Sequence, residues 1–134
     1  MFRDVENFFR KWTGIIITCQ LKTEEEHILN MVMDKDVSVS ELKRNLKMDA
    51  DKISRILRSL RWYQKGKKKF SLINENHDPK DARRRVVSIT RQGMKILEIV
   101  SNEKEQKCKE FFGCLSEDEQ KILFTLIKKC VNYS

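Results

Sequence analysis

Proline and glycine are scarce, with one Pro and four Gly in 134 residues. That scarcity excludes a many-turned β sandwich or barrel, whose short strands need turn residues at close intervals. No stretch of about 18 apolar residues occurs, so a membrane-spanning helix is excluded; the run Ile15-Ile16-Ile17-Thr18 is far too short. The opening residues, Met-Phe-Arg-Asp-Val-Glu, are mixed in charge and lead into no signal-peptide core, which predicts a cytoplasmic protein. Histidine is rarer still: His27 and His77 lie far apart, and Cys19, Cys108, Cys114 and Cys130 form no C-x-x-C pair. A zinc site is therefore not expected. Reduced, mostly packed thiols are the expectation, with redox sensing by one exposed thiol as the alternative. Gly66-Lys67 lacks the spacing of a phosphate-binding loop, and no nucleophile motif is present. Neither catalysis nor a cofactor is expected.

What the chain has in quantity is charge. Charged residues make up 36%, and 28 Lys plus Arg against 20 Asp plus Glu give a net charge of +8. From Ser40 to Gly93 there are 16 basic and 6 acidic residues, a net of +10, while the rest of the chain nets −2. The surplus thus belongs wholly to one middle segment. A solvated helix face ordinarily mixes its signs, so a one-sign block inside folded sequence points to a phosphate-binding surface. Nucleic acid is favoured over an anionic membrane, because no basic helix with bulky apolar anchors is present.

The apolar pattern is helical over most of the length. Phe2, Val5, Phe8, Phe9, Trp12, Ile15 and Ile16 recur at three- and four-residue spacing, predicting an amphipathic first helix with an aromatic face. Thr23 before Glu24-Glu25-Glu26 marks the start of a second helix, with Ile28, Leu29, Val32 and Met33 as its buried side. Ser38-Val39-Ser40-Glu41 is a capping box opening a short helix that carries Leu42 and Leu46. After Lys47-Met48, Asp49 caps the next helix, whose Ile53, Ile56, Leu57 and Leu60 form an apolar stripe. Asp51, Lys52, Ser54, Arg55, Arg58 and Ser59 occupy its other face. Two short helices joined tightly, the second basic outside, are the sequence form of a helix-turn-helix.

Two β-prone stretches follow, Lys67 to Asn74 and Val86 to Ile89, separated by a polar, basic segment from Glu75 to Arg84 read as a hairpin tip. A helix-turn-helix followed by a basic hairpin is a winged helix. Thr90 then caps a long helix in which Gly93 is awkward, costing about 1 kcal/mol relative to Ala. Ser116-Glu117-Asp118-Glu119 opens a last helix bearing Ile122, Leu123, Leu126, Ile127, Cys130 and Val131.

Asp78-Pro79-Lys80-Asp81-Ala82-Arg83, followed by Val86-Val87-Ser88-Ile89-Thr90-Arg91-Gln92-Gly93, resembles the wing of the MarR family and the start of the helix after it. That family reads Asp-x-Arg, a strand, then Leu-Thr-x-x-Gly; Ile89 stands here for the Leu. The resemblance runs from about Thr23 to Leu97 and, more weakly, takes in Leu115-Ser116-Glu117-Asp118-Glu119. It implies a mainly α fold with a small β-hairpin wing, a single domain over 1–134. Within it, 23–93 would be the DNA-binding lobe, and 1–20 and 94–134 dimerisation helices. The implied function is transcription regulation, typically repression, by a homodimer on a pseudo-palindromic double-stranded DNA site. The helix from Asp49 to Leu60 would read the major groove, Arg83 would enter the minor groove, and Asp81 would orient its guanidinium.

The candidate site residues follow. On the recognition helix they are Asp51, Lys52, Ser54, Arg55 and Arg58, and on the wing Lys80, Asp81, Arg83, Arg84 and Arg85. Phosphate contacts could come from Ser38, Lys65, Lys67, Lys68 and Lys69, the lysines equally reading as an ordinary soluble loop. The dimer interface would use Phe2, Val5, Phe9, Trp12, Phe111, Phe112, Leu123, Leu126 and Ile127. Trp62 and Tyr63 are expected to pack at the wing base, and His77 to be a solvated loop residue. Three departures from the family stand out: extra residues between Arg61 and Lys69, Glu75 where an Arg is usual, and a shorter N-terminal region. A small-molecule effector is left open. The competing readings are a DNA-binding protein without a regulatory role, and a protein-interaction module that sequesters another regulator.

Overall fold

The computed structural model describes residues 1–17 and 20–133. The expectation for Cys19 falls outside the described residues. In chain order the elements are α1 (Phe2–Ile17), α2 (Thr23–Val32), β1 (Val37–Ser38), α3 (Val39–Leu46), α4 (Ala50–Arg61), β2 (Tyr63–Lys65), β3 (Lys68–Phe70), β4 (Ile73–Asp78), β5 (Asp81–Ile89), α5 (Arg91–Phe111) and α6 (Glu117–Tyr133).

The helix starts follow local chemistry. Ser38 Oγ accepts the Glu41 amide at 3.2 Å, Asp49 Oδ1 the Lys52 amide at 2.8 Å, and Thr90 Oγ1 the Gly93 amide at 2.9 Å. At Ser116 the capping box is reciprocal, with Glu119 Oε1 accepting the Ser116 amide at 2.9 Å. The start of α2 differs from expectation. Thr23 is already helical, Lys22 is the capping residue, and its amide donates to Glu25 Oε1 at 3.0 Å. That reach-back carboxylate satisfies the Lys22 amide, with no side-chain cap from Lys22.

One core binds α2, α3, α4, the sheet and the first half of α5. Ile28, Leu29, Leu42, Ile53, Leu57, Leu60, Leu72, Ile73, Val87 and Val100 are fully buried in it. Each such side chain contributes about 1.5–3 kcal/mol by leaving water. A three-stranded antiparallel sheet has the order β1-β5-β4, with Val37 opposite Val87 and Ile73 opposite Ile89. Helix α5 is shared: Ile96, Leu97 and Val100 complete this core, while Phe111 lies in a second cluster.

That second cluster is aromatic. Phe8 and Trp12 of α1 meet Phe111 and Phe112, with ring centroids 5.6–6.2 Å apart, and Phe112 meets Phe124 of α6 at 5.4 Å. It ties α1, the end of α5 and α6 together within one chain. The assignment of Phe112 to a dimer interface is thereby corrected, because Phe112 is only 6% exposed without any partner. Trp12 and Phe111 are half-buried in the same cluster. The thiols also depart from expectation: Cys108 is half-buried, but Cys114 and Cys130 are exposed. Burial, then Glu105, pushes the Cys108 thiol pKa up, which disfavours its thiolate.

Candidate nucleic-acid interface

Helix α4 is held from both sides. Its apolar stripe enters the core, while the buried Glu25 carboxylate of α2 accepts the Ser59 hydroxyl at 2.7 Å. Burial raises the Tyr63 pKa, and the nearby carboxylates of Glu25 and Glu103 add to the effect. Between α3 and α4 the chain turns at Lys47, which takes the left-handed conformation at φ 52°. The exposed face of α4 therefore has a fixed direction. It presents Asp51, Ser54, Arg55 and Arg58, all exposed, and Lys52, which pairs with Glu24 at 3.0 Å. That exposed pair is worth about 1 kcal/mol or less, so a phosphate can compete for the lysine.

The wing is longer than the sequence suggested. Residues 75–78 and 81–84, read as a loop, are strand in β4 and β5, and the tip is only Pro79-Lys80. Asp78 Oδ1 accepts the Lys80 amide at 2.9 Å, closing a tight turn. Pairing of His77 with Arg85 and of Asp78 with Asp81, across a register shift between His77 and Asp78, outweighs the polar composition of this segment. His77 consequently lies on a strand opposite Arg85, exposed but not in a loop.

Within the wing the cations divide into two groups. Arg84 lies 3.1 Å from Glu41 of α3 and 3.8 Å from Asp78. Arg85 pairs with Glu75, which also lies 3.6 Å from Arg61 at the end of α4. The Glu75 side chain is 9% exposed, and its carboxylate bridges the base of the wing and the end of α4 by charge. Lys80 and Arg83, in contrast, are exposed and have no ion pair among the described residues. Asp81 does not engage the Arg83 guanidinium in this structure. Its Oδ1 accepts the Arg83 backbone amide at 3.0 Å, which braces the strand and leaves the guanidinium free.

Two further corrections concern the candidate residues. Ser38 is 3% exposed and its hydroxyl caps α3, so it is unavailable to a phosphate. Trp62 is 69% exposed and does not pack at the wing base, whereas Tyr63 packs against the core. The extra segment after Arg61 forms a second hairpin, β2–β3, carrying Lys65, Lys67, Lys68 and Lys69, all exposed. Of the expected dimer residues, Phe2, Val5, Phe9, Leu126 and Ile127 are exposed and Leu123 is half-exposed. No residue of α6 is buried.

No protein-family model matches the chain. A stretch of 61 residues is 39% identical to the transcriptional regulator HosA of Escherichia coli O111:H-, covering 46% of this chain and 45% of that protein. The chain thus spans about half the length of the curated relatives it matches. Over 98% of its length and 92% of the other chain, it is similar to the YusO protein of Bacillus subtilis, with TM-score 0.79 and 18% identity. Apo MarR of Escherichia coli matches over 97% of this chain and 95% of its own, with TM-score 0.72 and 22% identity. The chain shares the fold of MarR. The likeness extends over the terminal helices as well as the winged helix, beyond the region in which the motifs were strongest. BpsR of Bordetella bronchiseptica, whose DNA binding is regulated by 6-hydroxynicotinic acid, shares this MarR fold with TM-score 0.67 and 18% identity over 98% of this chain and 92% of its own.

Two features of the chain were not legible as functional in sequence. Glu25 reads as one of three helix-start acids, yet it is the one that is buried and joins α2 to α4. Glu75 reads as a missing cation, yet it organises Arg61 and Arg85. Only strand register and helix packing reveal either role.

Proposed function

We propose that the chain acts as a homodimer that binds double-stranded DNA sequence-specifically and regulates transcription in the cytoplasm. The observation that carries this reading is the sorting of cations on a MarR fold. Arg55, Arg58, Lys80 and Arg83 are exposed and free of ion pairs among the described residues, at the outer face of α4 and the wing tip. Their neighbours Arg61, Arg84 and Arg85 hold the scaffold. Helix α4 would read base edges in the major groove, while Arg83 would enter the minor groove.

The dimer reading rests on α6, which displays Ile122, Leu126, Ile127 and Val131 to solvent, and on α1, which displays Phe2 and Phe9. A second copy would cover that face, placing two recognition helices about one DNA turn apart, roughly 34–36 Å. A dimer seated across a promoter blocks access to it, which makes repression the proposed outcome. Regulation of BpsR by a small molecule supports an effector here as well, its identity unassigned.

The test is selection of bound duplexes from a randomised pool, followed by titration of the enriched duplex and a scrambled one. Arg83→Ala should weaken binding to the enriched duplex about tenfold or more, the range for one good groove contact. Arg84→Ala should change it little, because Glu41 and Asp78 already occupy that guanidinium. No enrichment, or equal affinity for both duplexes, would refute the reading.

A further inference from the structure

We propose that the β2–β3 hairpin is a second DNA-contacting wing, which grips the phosphate backbone beside the groove read by α4. The inference rests on the DNA-binding reading above and adds to it an element that α4 and the β4–β5 wing do not supply.

Position is the first support. Asp51, Arg55 and Arg58 lie at helical spacing along the exposed stripe of α4, and Trp62 continues that stripe at the point where the hairpin begins. The hairpin therefore begins where the exposed face of α4 ends. Its inner end is anchored, since Tyr63 and Phe70 stand opposite each other, half-buried against the core. Its outer end turns at Gly66, whose φ of 63° suits a residue without a Cβ.

Charge is the second support, and it is independent. The register sets Lys65 directly opposite Lys68, with Lys67 in the turn and Lys69 opposite Gln64. Like charges opposite one another on paired strands destabilise a hairpin. No acid offsets them: none of these four lysines has an ion pair among the described residues. Elsewhere in the lobe, Lys52, Arg61, Arg84 and Arg85 each have a carboxylate partner, whereas Arg55, Arg58, Lys80 and Arg83, which are assigned to DNA contact, share the unpaired state of these lysines among the described residues. Solubility alone is served by mixed signs. Repulsion built into a short, anchored hairpin is instead relieved by a polyanion, and duplex DNA offers a phosphate per ~1.7 Å of axis.

The chemistry predicts positioning without base discrimination. Lysine ammonium groups are point charges without the fork that reads guanine, so the hairpin adds affinity equally to every sequence. At the base of the hairpin, Arg61, Trp62, Lys69, Phe70 and Ser71 line a cleft of about 410 Å³. The exposed indole there would sense a bound strand.

The test compares the full chain with Lys65→Gln/Lys68→Gln on a mixed-sequence duplex of about three turns, ~30 base pairs, and on the selected duplex, across a salt series. With one phosphate lost per protomer, the slope of log affinity against log salt should shrink by about 2 for a dimer, at ~0.9 per contact. The ratio of affinities for the two duplexes should hold. Lys65→Arg/Lys68→Arg should restore the slope. Without DNA, the Gln variant should melt no lower than the parent, which separates lost contact from lost folding. The fluorescence change on adding duplex should diminish in Trp62→Phe. If the slope is unchanged in the Gln variant while Arg83→Ala still weakens binding, the second wing is wrong and the proposed function stands. A change in the affinity ratio with an unchanged slope would overturn the backbone role. If the parent binds neither duplex, both readings fall.

Discussion

Substituting Gly93 by Ala should destabilise the protein although it improves helix propensity. In an isolated helix the change gains about 1 kcal/mol. Here a Cβ on Gly93 would lie 2.2 Å from the Leu72 carbonyl oxygen and 2.8 Å from Ile89 Cγ1, whereas ordinary contact begins near 3.4 Å. The carbonyl would have to retreat by about 1.2 Å. It has no freedom to do so, because Leu72 O accepts the Thr90 amide at 3.1 Å and Leu72 N donates to Leu60 O at 2.8 Å. Overpacking of this kind costs about 1–3 kcal/mol, and a lost backbone hydrogen bond adds about 1. Set against the helix gain, the net loss is about 1–3 kcal/mol. For a chain of this size that lowers the melting temperature by about 4–12 °C. Thermal unfolding followed by circular dichroism at 222 nm, a helix-reporting wavelength, checks it. Leu72 immediately precedes β4, so the surviving folded fraction should also bind DNA more weakly, through a displaced wing. An unchanged or raised melting temperature would refute the close-packing account of this glycine.

Two other outcomes follow from the exposed surfaces and caps. Leu126→Glu, at a position 54% exposed in the single chain, should leave helicity intact while shifting sedimentation equilibrium toward monomer. Burying two such leucines at a symmetric interface is worth about 3 kcal/mol or more, roughly a hundredfold in the dimer constant; a parent that sediments as monomer would sink the dimer reading. At the start of α6, the Ser116 amide, and secondarily its hydroxyl, hold the Glu119 carboxyl below its ordinary pKa. A depressed folded-state pKa contributes stability above the unfolded value and loses it as pH falls through the folded one. Ser116→Ala removes the hydroxyl contact, so an NMR titration should show the Glu119 midpoint move up toward the ordinary carboxylate range. A midpoint unmoved by the substitution would show that the hydroxyl contributes nothing.

Much of the fold is legible in sequence because its causes are local. The caps at Ser38, Asp49, Thr90 and Ser116 are short-range hydrogen bonds, and the stripe Ile53, Ile56, Leu57, Leu60 follows from helical period alone. The wing is less legible. Glu75 to Arg84 carries turn-forming and charged residues, yet cross-strand pairing extends it to Pro79-Lys80. Propensity is a weak guide where hydrogen bonds join residues that are only brought together by folding. The same applies to Ser38, whose hydroxyl looks available in sequence and is buried at a cap, and to Phe112, which is covered by its own chain.

The sequence by itself determined the helical class, the helix-turn-helix with its wing, and the location of the positive charge, because periodicity, capping and composition act within a few residues. The tertiary structure decided which of those charges are free. Arg83, Arg84 and Arg85 are consecutive and chemically identical, yet Glu41, Asp78 and Glu75 engage only the latter two. The acids that Arg84 and Arg85 meet are fixed by the packing of α3 against the sheet and by the register of β4 on β5, which slips between His77 and Asp78, and neither is set by sequence order alone.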